Sequence, residues 1–554
     1  MAVDIDHTST EKESIETFVN LRKEVEGVDP ITSVLSQALR EKIQKVYSSI
    51  KYNATYVANA INDEFLEIAI DDSGNNVIPL EHFQAGLIVG YLMNRCNTLT
   101  IGSPGSGKTS TIRAVSRMMT GSSISKMENI VHCDFEVKKD DWLGSKDPSE
   151  IFKGKSNWLV YWAKWVNSKN YVDIIFDEIN RASDDIQNQL LLLLADSRVQ
   201  YGVQFPFSLP ELHTFMTLNP RDELAGTINV RPLQYAFKDR ITQCLRVPLS
   251  ARYAMERLSE CREDDRSLGF NEDAIITPIL TLRELRLANL LVEKVPIDPE
   301  ARRLAMYLAR EAGICIRAPM FDKTLLTEFK PGKDSAFCEG CHFAQNEQIC
   351  KRFFGGSMRI FKDLISLGKA YAFWLKIPAV TKHIIHAIAP DVIGHRIIVA
   401  EGELRTDLGN TFGDAHKFIQ DYYITFCWER LKMRKEVEET YIRLLDGEGS
   451  DADFQQLLRY AKNDLAVRLE LLPIVSIGDG IRGTLNNYVS MYNCTHPDYK
   501  RFMKRVNEAK YNQDIHALDD LINEVPDIPL KTRIQDRIYA IRHRLHRQQQ
   551  SIKK

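Results

Sequence analysis

Gly102-Ser103-Pro104-Gly105-Ser106-Gly107-Lys108-Thr109-Ser110 is the stretch on which the reading of this chain turns. It fits the pattern G-x-x-x-x-G-K-[ST]. Glycines at 102, 105 and 107 let the backbone curl so that its N–H groups face inward toward phosphate oxygens. A short apolar run, Thr98–Ile101, precedes the loop, and a helical pattern, Thr111–Met119, follows it. That context places the loop between a strand and a helix whose N-terminus attracts phosphate. Lys108 is then within reach of the β- and γ-phosphates of a nucleoside triphosphate. The Thr109 hydroxyl is a Mg²⁺ ligand candidate. Residues 102–110 are therefore the expected ATP-binding segment.

Downstream, Ile174-Ile-Phe-Asp177-Glu178 is an apolar run that ends in two carboxylates. Alone it reads equally well as a strand ending in a solvated turn. Beside a phosphate loop, Asp177 becomes the second Mg²⁺-holding group, and Glu178 becomes the base that polarises the attacking water. Two further positions complete the candidate set. Asn219 ends the run Phe215-Met-Thr-Leu-Asn219-Pro220, where it can orient water or sense the γ-phosphate, or simply begin a turn. Arg240, in Tyr235-Ala-Phe-Lys-Asp239-Arg240-Ile241, carries a permanent charge. It can stabilise phosphoryl charge across a subunit boundary or pair with Asp239 on the surface.

The pattern around these motifs sets the fold class. Apolar runs at Ile130–Cys133, Tyr171–Phe176, Thr214–Leu218 and Ile241–Val247 join Thr98–Ile101 as strand candidates, with helical segments such as His82–Arg95 between them. Short buried strands separated by helices predict an α/β core with a parallel sheet covered on both faces. The expected division is a helical N-terminal region over 1–80 and an α/β ATPase core over 81–248. A helical lid with a cysteine-rich insertion covers 249–400, and a helical C-terminal domain covers 401–554.

These motifs together resemble the MoxR-type AAA+ ATPases. The hallmark is Asp177-Glu-Ile-Asn-Arg-Ala182, followed by Gln187–Arg198, a hairpin-like Val199–Phe207 and the strand ending in Asn219. Asp141-Trp-Leu-Gly144 is similar to the family's acidic-glycine turn. Gly355-Gly-Ser-Met-Arg359 is similar to its G-x-S-x-R at the start of a lid helix, and Ala387–Arg396 is similar to its closing lid segment. The likeness covers about residues 83–398 without the cysteine insertion. It places the chain in the helix-2-insert clade, near the magnesium-chelatase and gas-vesicle ATPases. It implies ATP and Mg²⁺ as cofactors and a hexameric ring with ATP held between subunits. It also implies Asn219 as sensor 1, Arg240 as an arginine finger acting in trans and Arg359 as sensor 2. Members of the family remodel, activate or load cofactors into protein clients in a chaperone-like way, often with a von Willebrand A partner carried on a separate chain. The competing functions are a nucleic-acid-stimulated motor of restriction or translocase type and a nucleotide-gated scaffold. An intact Glu178 disfavours the scaffold.

Cys315, Cys338, Cys341 and Cys350 form C-x22-C-x2-C-x8-C. The close pair can clasp one metal from a tight turn, and two further thiolates complete four-coordination by Zn²⁺. The same set suits a [4Fe–4S] cluster, and unligated buried thiols are the third option. The other cysteines are scattered.

Composition is consistent with this picture. Hydrophobic residues make up 44% and charged residues 27% of 554, the balance of a soluble globular protein. A net charge of −3 gives no global attraction to nucleic acid or anionic membrane. A basic run from Arg533 to Lys554 reads first as a solvated helix end. The polar start and the lack of an apolar run of about 20 residues predict a cytoplasmic protein without a membrane span.

Overall fold

The computed structural model describes residues 19–52, 65–70, 76–121, 130–134, 144–146, 160–162, 173–196, 198–201, 204–208, 212–219, 233–247, 276–311, 353–354, 356–399, 411–433 and 435–445, with short pieces between 450 and 524. The chain divides into two compact units. The first comprises Met1–Val295 with Lys362–Arg396, and the second comprises Pro296–Phe361 with Ile397–Lys554.

The first unit is built on a five-stranded parallel sheet. Its strands are β3 (Asn97–Ile101), β4 (Ile130–His132), β5 (Asp173–Asp177), β8 (His213–Leu218) and β9 (Gln243–Arg246), in the order β9-β3-β8-β5-β4. Every residue of β3 and β8 is buried, as a sheet covered on both faces requires. Buried threonines are tolerated there because they find partners: Thr100 Oγ1 donates to Met216 O at 3.0 Å. Helix α2 (His82–Tyr91) leads into β3, and α3 (Lys108–Thr120) leaves it through the glycine loop. After β5 come α4 (Asp184–Asp196) and the antiparallel pair β6 (Arg198–Tyr201) and β7 (Gln204–Ser208). The expected alternation of strand and helix, and the hairpin after Arg198, are therefore present.

The helical N-terminal segment belongs to this unit. In α1 (Val34–Tyr52), Leu39, Ile43 and Val46 are buried on one face. Lys42 Nζ of that helix meets Glu284 Oε1 at 2.5 Å on α6 (Leu282–Glu293). Thr281 and Glu284 form a reciprocal capping box that starts α6. A hairpin, β1 (Phe65–Ala69) and β2 (Val77–Glu81), runs into α2. At the junction His82 Nε2 lies 2.7 Å from Asp391 Oδ2 on α9 (Lys382–Ile393). At the N-terminal end of β5, buried Asp173 accepts from Tyr91 Oη at 2.5 Å and from Ser116 Oγ. His213 packs against Tyr91, and burial pushes its imidazole down to about 4.

In the second unit, α7 (Pro299–Glu311) accepts a hydrogen bond at Leu308 O from Tyr423 Oη, 2.7 Å away. Phe353–Phe354 pairs antiparallel with Ile398–Val399. Helix α8 (Met358–Trp374) crosses the division between the units, with Lys362 onward in the first. Among the described residues no helix is long and apolar enough to cross a membrane.

Candidate functional site

The glycine loop takes the shape its sequence requires. Gly105 and Gly107 have φ of 71° and 77°, the left-handed region that L side chains avoid. Gly107 is the N-cap of α3, so the helix opens directly onto the loop. At Gly102 a Cβ atom would come within 2.9 Å of Val247 Cβ and 3.1 Å of Val247 O, so close packing against the end of the β9 segment excludes a side chain there. Lys108 Nζ lies over the curl and donates to Gly102 O at 2.7 Å and Ser103 O at 2.9 Å.

Strand order then brings in the acids. β5 and β3 both flank β8, so the C-terminal ends of all three open onto one edge of the sheet. Thr109 Oγ1 donates to Asp177 Oδ1 at 2.8 Å, which places the two predicted Mg²⁺ ligands side by side. A hydroxyl beside a carboxylate is the hard-oxygen donor set that Mg²⁺ takes alongside substrate phosphates. Glu178 follows directly, and its backbone sits in the left-handed region at φ 56°, ψ 50°. Such a conformation costs a non-glycine residue of order 1–3 kcal/mol and is held only where the surroundings enforce it. Here it turns the Glu178 side chain out of the strand, where 43% of it is exposed. Asn219 leaves β8 at the same edge, and its carbonyl faces Asn180 Nδ2 at 3.4 Å.

The structure adds three residues that sequence reasoning missed. Thr217 Oγ1 donates to Asp177 Oδ1 at 2.6 Å and accepts from Glu178 N at 2.9 Å, so one hydroxyl aligns both acids. The available signal was the two-residue alternation of β8, which puts Thr217 and Asn219 on the same face. Arg181 Nε lies 3.1 Å from Glu178 Oε2. His132 Nδ1 lies 3.4 Å from Asp177 Oδ2, because β4 pairs His132 with Asp177 in register. Burial and the nearby carboxylates of Asp177 and Glu178 push the Cys133 thiol up, so it stays protonated. Thr217→Val preserves shape and removes both hydrogen bonds. We expect it to lower kcat for ATP about tenfold, as loss of an outer-shell partner typically does, with little change in nucleotide affinity. Steady-state kinetics beside a nucleotide-binding titration checks this.

Arg240 is held elsewhere. It follows the short helix α5 (Tyr235–Lys238), and its Nη1 donates to Ala236 O at 2.6 Å. Its own carbonyl accepts from Asn97 Nδ2 at 2.8 Å, and Thr242 N donates to Asn97 O at 2.7 Å. Asn97 begins β3, whereas the phosphate loop follows its end. The strand between them spans about 13 Å of backbone. Arg240 therefore stands at the opposite edge of the sheet from Lys108 of its own chain.

Arg359 lies in the first turn of α8, where its N–H donates to Ser357 Oγ at 3.2 Å, in the second unit. Cys315, Cys338, Cys341 and Cys350 lie outside the described residues, as do Asp141 and Gly355. Cys96, Cys133, Cys244 and Cys427 are buried free thiols.

Residues 97–241 match the family model described as AAA domain (dynein-related subfamily). This part of the chain is an AAA ATPase domain, and the MoxR-type likeness of its motifs agrees with that match. No curated protein is significantly similar to the chain. Among solved structures, a Cytophaga hutchinsonii protein, whose ATPase assignment is itself provisional, is 15% identical with a TM-score of 0.48. The match covers 70% of this chain and 96% of that one. A full-length MCM homolog from Methanopyrus kandleri is 12% identical with a TM-score of 0.34, covering 65% of this chain and 62% of that one. Likenesses this distant carry no weight for function.

Proposed function

We propose that this AAA ATPase is a MoxR-type ring protein that spends ATP hydrolysis on remodelling, activating or loading cofactor into a protein client. The observation that carries the ATPase chemistry is the cluster Thr109–Asp177–Thr217–Glu178, with Lys108 over the loop. Mg²⁺, when bound, neutralises charge on the β- and γ-phosphates. Lys108, Thr109 and Asp177 would bind and orient the triphosphate and its ion. Glu178 would take a proton from the attacking water, and Asn219 would position that water. Arg240 would complete the site of a neighbouring subunit, and Arg359 would act as sensor 2.

Arg240's place at the far edge of the sheet supports the ring. A cation that stands away from its own phosphate loop can act in hydrolysis only on another copy. The second reading is a motor driven by DNA or RNA. Steady-state ATPase assays with and without single-stranded DNA, duplex DNA and RNA separate the two. Rates unchanged by all three support a protein client, and stimulation by any of them favours the motor.

The cysteine set 315, 338, 341 and 350 is proposed to hold one Zn²⁺ per chain, with a [4Fe–4S] cluster as the alternative. Elemental analysis of protein purified without oxygen is expected to find about one zinc per chain, since four thiolates make one tetrahedral site. Several irons with visible absorbance would replace zinc by the cluster, and neither metal would leave the thiols as packing. Cys338→Ser and Cys341→Ser should lose the metal alike, while Cys427→Ser should keep it.

A further inference from the structure

Among the described residues Arg396 is the largest side chain that is fully enclosed, with 1% of it exposed. An enclosed guanidinium is costly unless its charge and donors are met. One partner is the Asp363 carboxylate on α8. The other is the main-chain carbonyl of Ile241, the residue that follows Arg240. His395 Nε2 reaches the same carbonyl at 2.9 Å. Burial pushes the His395 imidazole down to about 3, so it is neutral and donates here as an N–H. Among the described residues the Nε and Nη1 of Arg396 have no hydrogen-bond partner. Core packing alone would be served at least as well by an apolar residue of that size, so the ionic bridge calls for another explanation.

The turn that presents Arg240 is pinned from two directions. Asn97 holds the carbonyl of Arg240, and Arg396 with His395 holds the carbonyl of Ile241. Asn97 opens the strand that ends in the phosphate loop. Asp363 lies on α8, in the part of that helix that belongs to the first unit.

We infer that Arg396 is a positioning residue for Arg240, fixing the backbone of its turn and tying that turn to α8 through Asp363. The inference rests on reading Arg240 as a finger that serves a neighbouring subunit. Arg396 touches no reacting atom. It sets where a subunit holds its finger, so its loss damages the site of the next subunit and leaves its own pocket intact.

Full-length Arg396→Gln protein tests this. It should bind a fluorescent ATP analogue within about twofold of the parent, yet hydrolyse ATP at least about tenfold more slowly, because displacement of about 1 Å in a reacting group costs up to 10²-fold. Mixing it with Lys108→Ala protein should restore hydrolysis, since intact pockets then face correctly held fingers. Arg240→Ala is mixed with Lys108→Ala in parallel. If the Arg240→Ala mixture recovers and the Arg396→Gln mixture does not, Arg396 supports only its own subunit and the inference is overturned. Unchanged hydrolysis in Arg396→Gln overturns it as well. If neither mixture recovers, the finger reading itself fails and the positioning role falls with it. If Arg396→Gln fails to fold because Asp363 is left buried without a counter-charge, the double variant Arg396→Gln/Asp363→Asn buries no charge and takes its place, with the same expected outcomes.

Discussion

Glu178→Gln protein is expected to bind ATP and Mg²⁺ as tightly as the parent and to hydrolyse ATP about 10²- to 10⁴-fold more slowly, the range for loss of a general base. The amide keeps the size of the side chain. Its backbone would stay in the same left-handed turn, because the hydrogen bond from Glu178 N to Thr217 Oγ1 does not involve the carboxylate. What is lost is a base for the water proton, a step that contributes to the transition state and little to ground-state binding. Lys108→Ala should behave in the opposite way. Its ammonium is held over the loop by the carbonyls of Gly102 and Ser103, where the phosphates would sit, so its removal should abolish binding itself. Titration with a fluorescent ATP analogue and a steady-state phosphate-release assay on both variants read the two effects separately. Glu178→Gln protein that turns over at the parental rate would remove Glu178 from the chemistry.

Arg240→Ala should leave ATP binding unchanged and lower hydrolysis by about 10³-fold or more, the effect of losing an arginine finger in other phosphate-loop enzymes. Its turn is held through backbone groups, by Asn97 and by Arg396 with His395, so truncating the side chain should not disturb the fold. Because Arg240 lies at the sheet edge opposite its own phosphate loop, the defect should be repaired in mixed assemblies. Subunits with Lys108→Ala supply fingers, and subunits with Arg240→Ala supply pockets. ATPase rate measured against mixing ratio should pass through a maximum between two nearly inactive end points. A flat line, with both variants assembling as the parent does, would count against a site shared between subunits.

Much of the site is legible in the sequence because its parts are local. Glycine takes a positive φ without steric cost, and Gly105 and Gly107 stand at such positions in the loop. The acids end an apolar strand, where a carboxylate can emerge from the core, whereas a buried one such as Asp173 must be met by hydrogen-bond donors. Of Thr217 only the face was legible, through the two-residue alternation it shares with Asn219. Threonine is an ordinary strand former, and nothing local distinguishes one that bridges two carboxylates from one that fills a sheet. His132 likewise depends on the parallel register that sets it opposite Asp177, with no counterpart in the spacing of its own segment.

By itself the sequence determined the fold class, the phosphate loop, the acidic pair and the strands that carry them, since each depends on contiguous residues with a fixed period or a required backbone angle. Only the tertiary structure decided which edge of the sheet each group occupies. Strand order is a matter of pairing between distant segments. It puts β8 between β3 and β5, which joins Thr109, Asp177 and Thr217, and it sets β9 parallel beside β3, so that Arg240, just before β9, meets Asn97 at the other edge. Lys42 with Glu284, Asn97 with Arg240 and Arg396 with Ile241 lie 242, 143 and 155 residues apart. Contacts of that range cost loop-closure entropy that many other contacts must offset together, so no short stretch of chain encodes them.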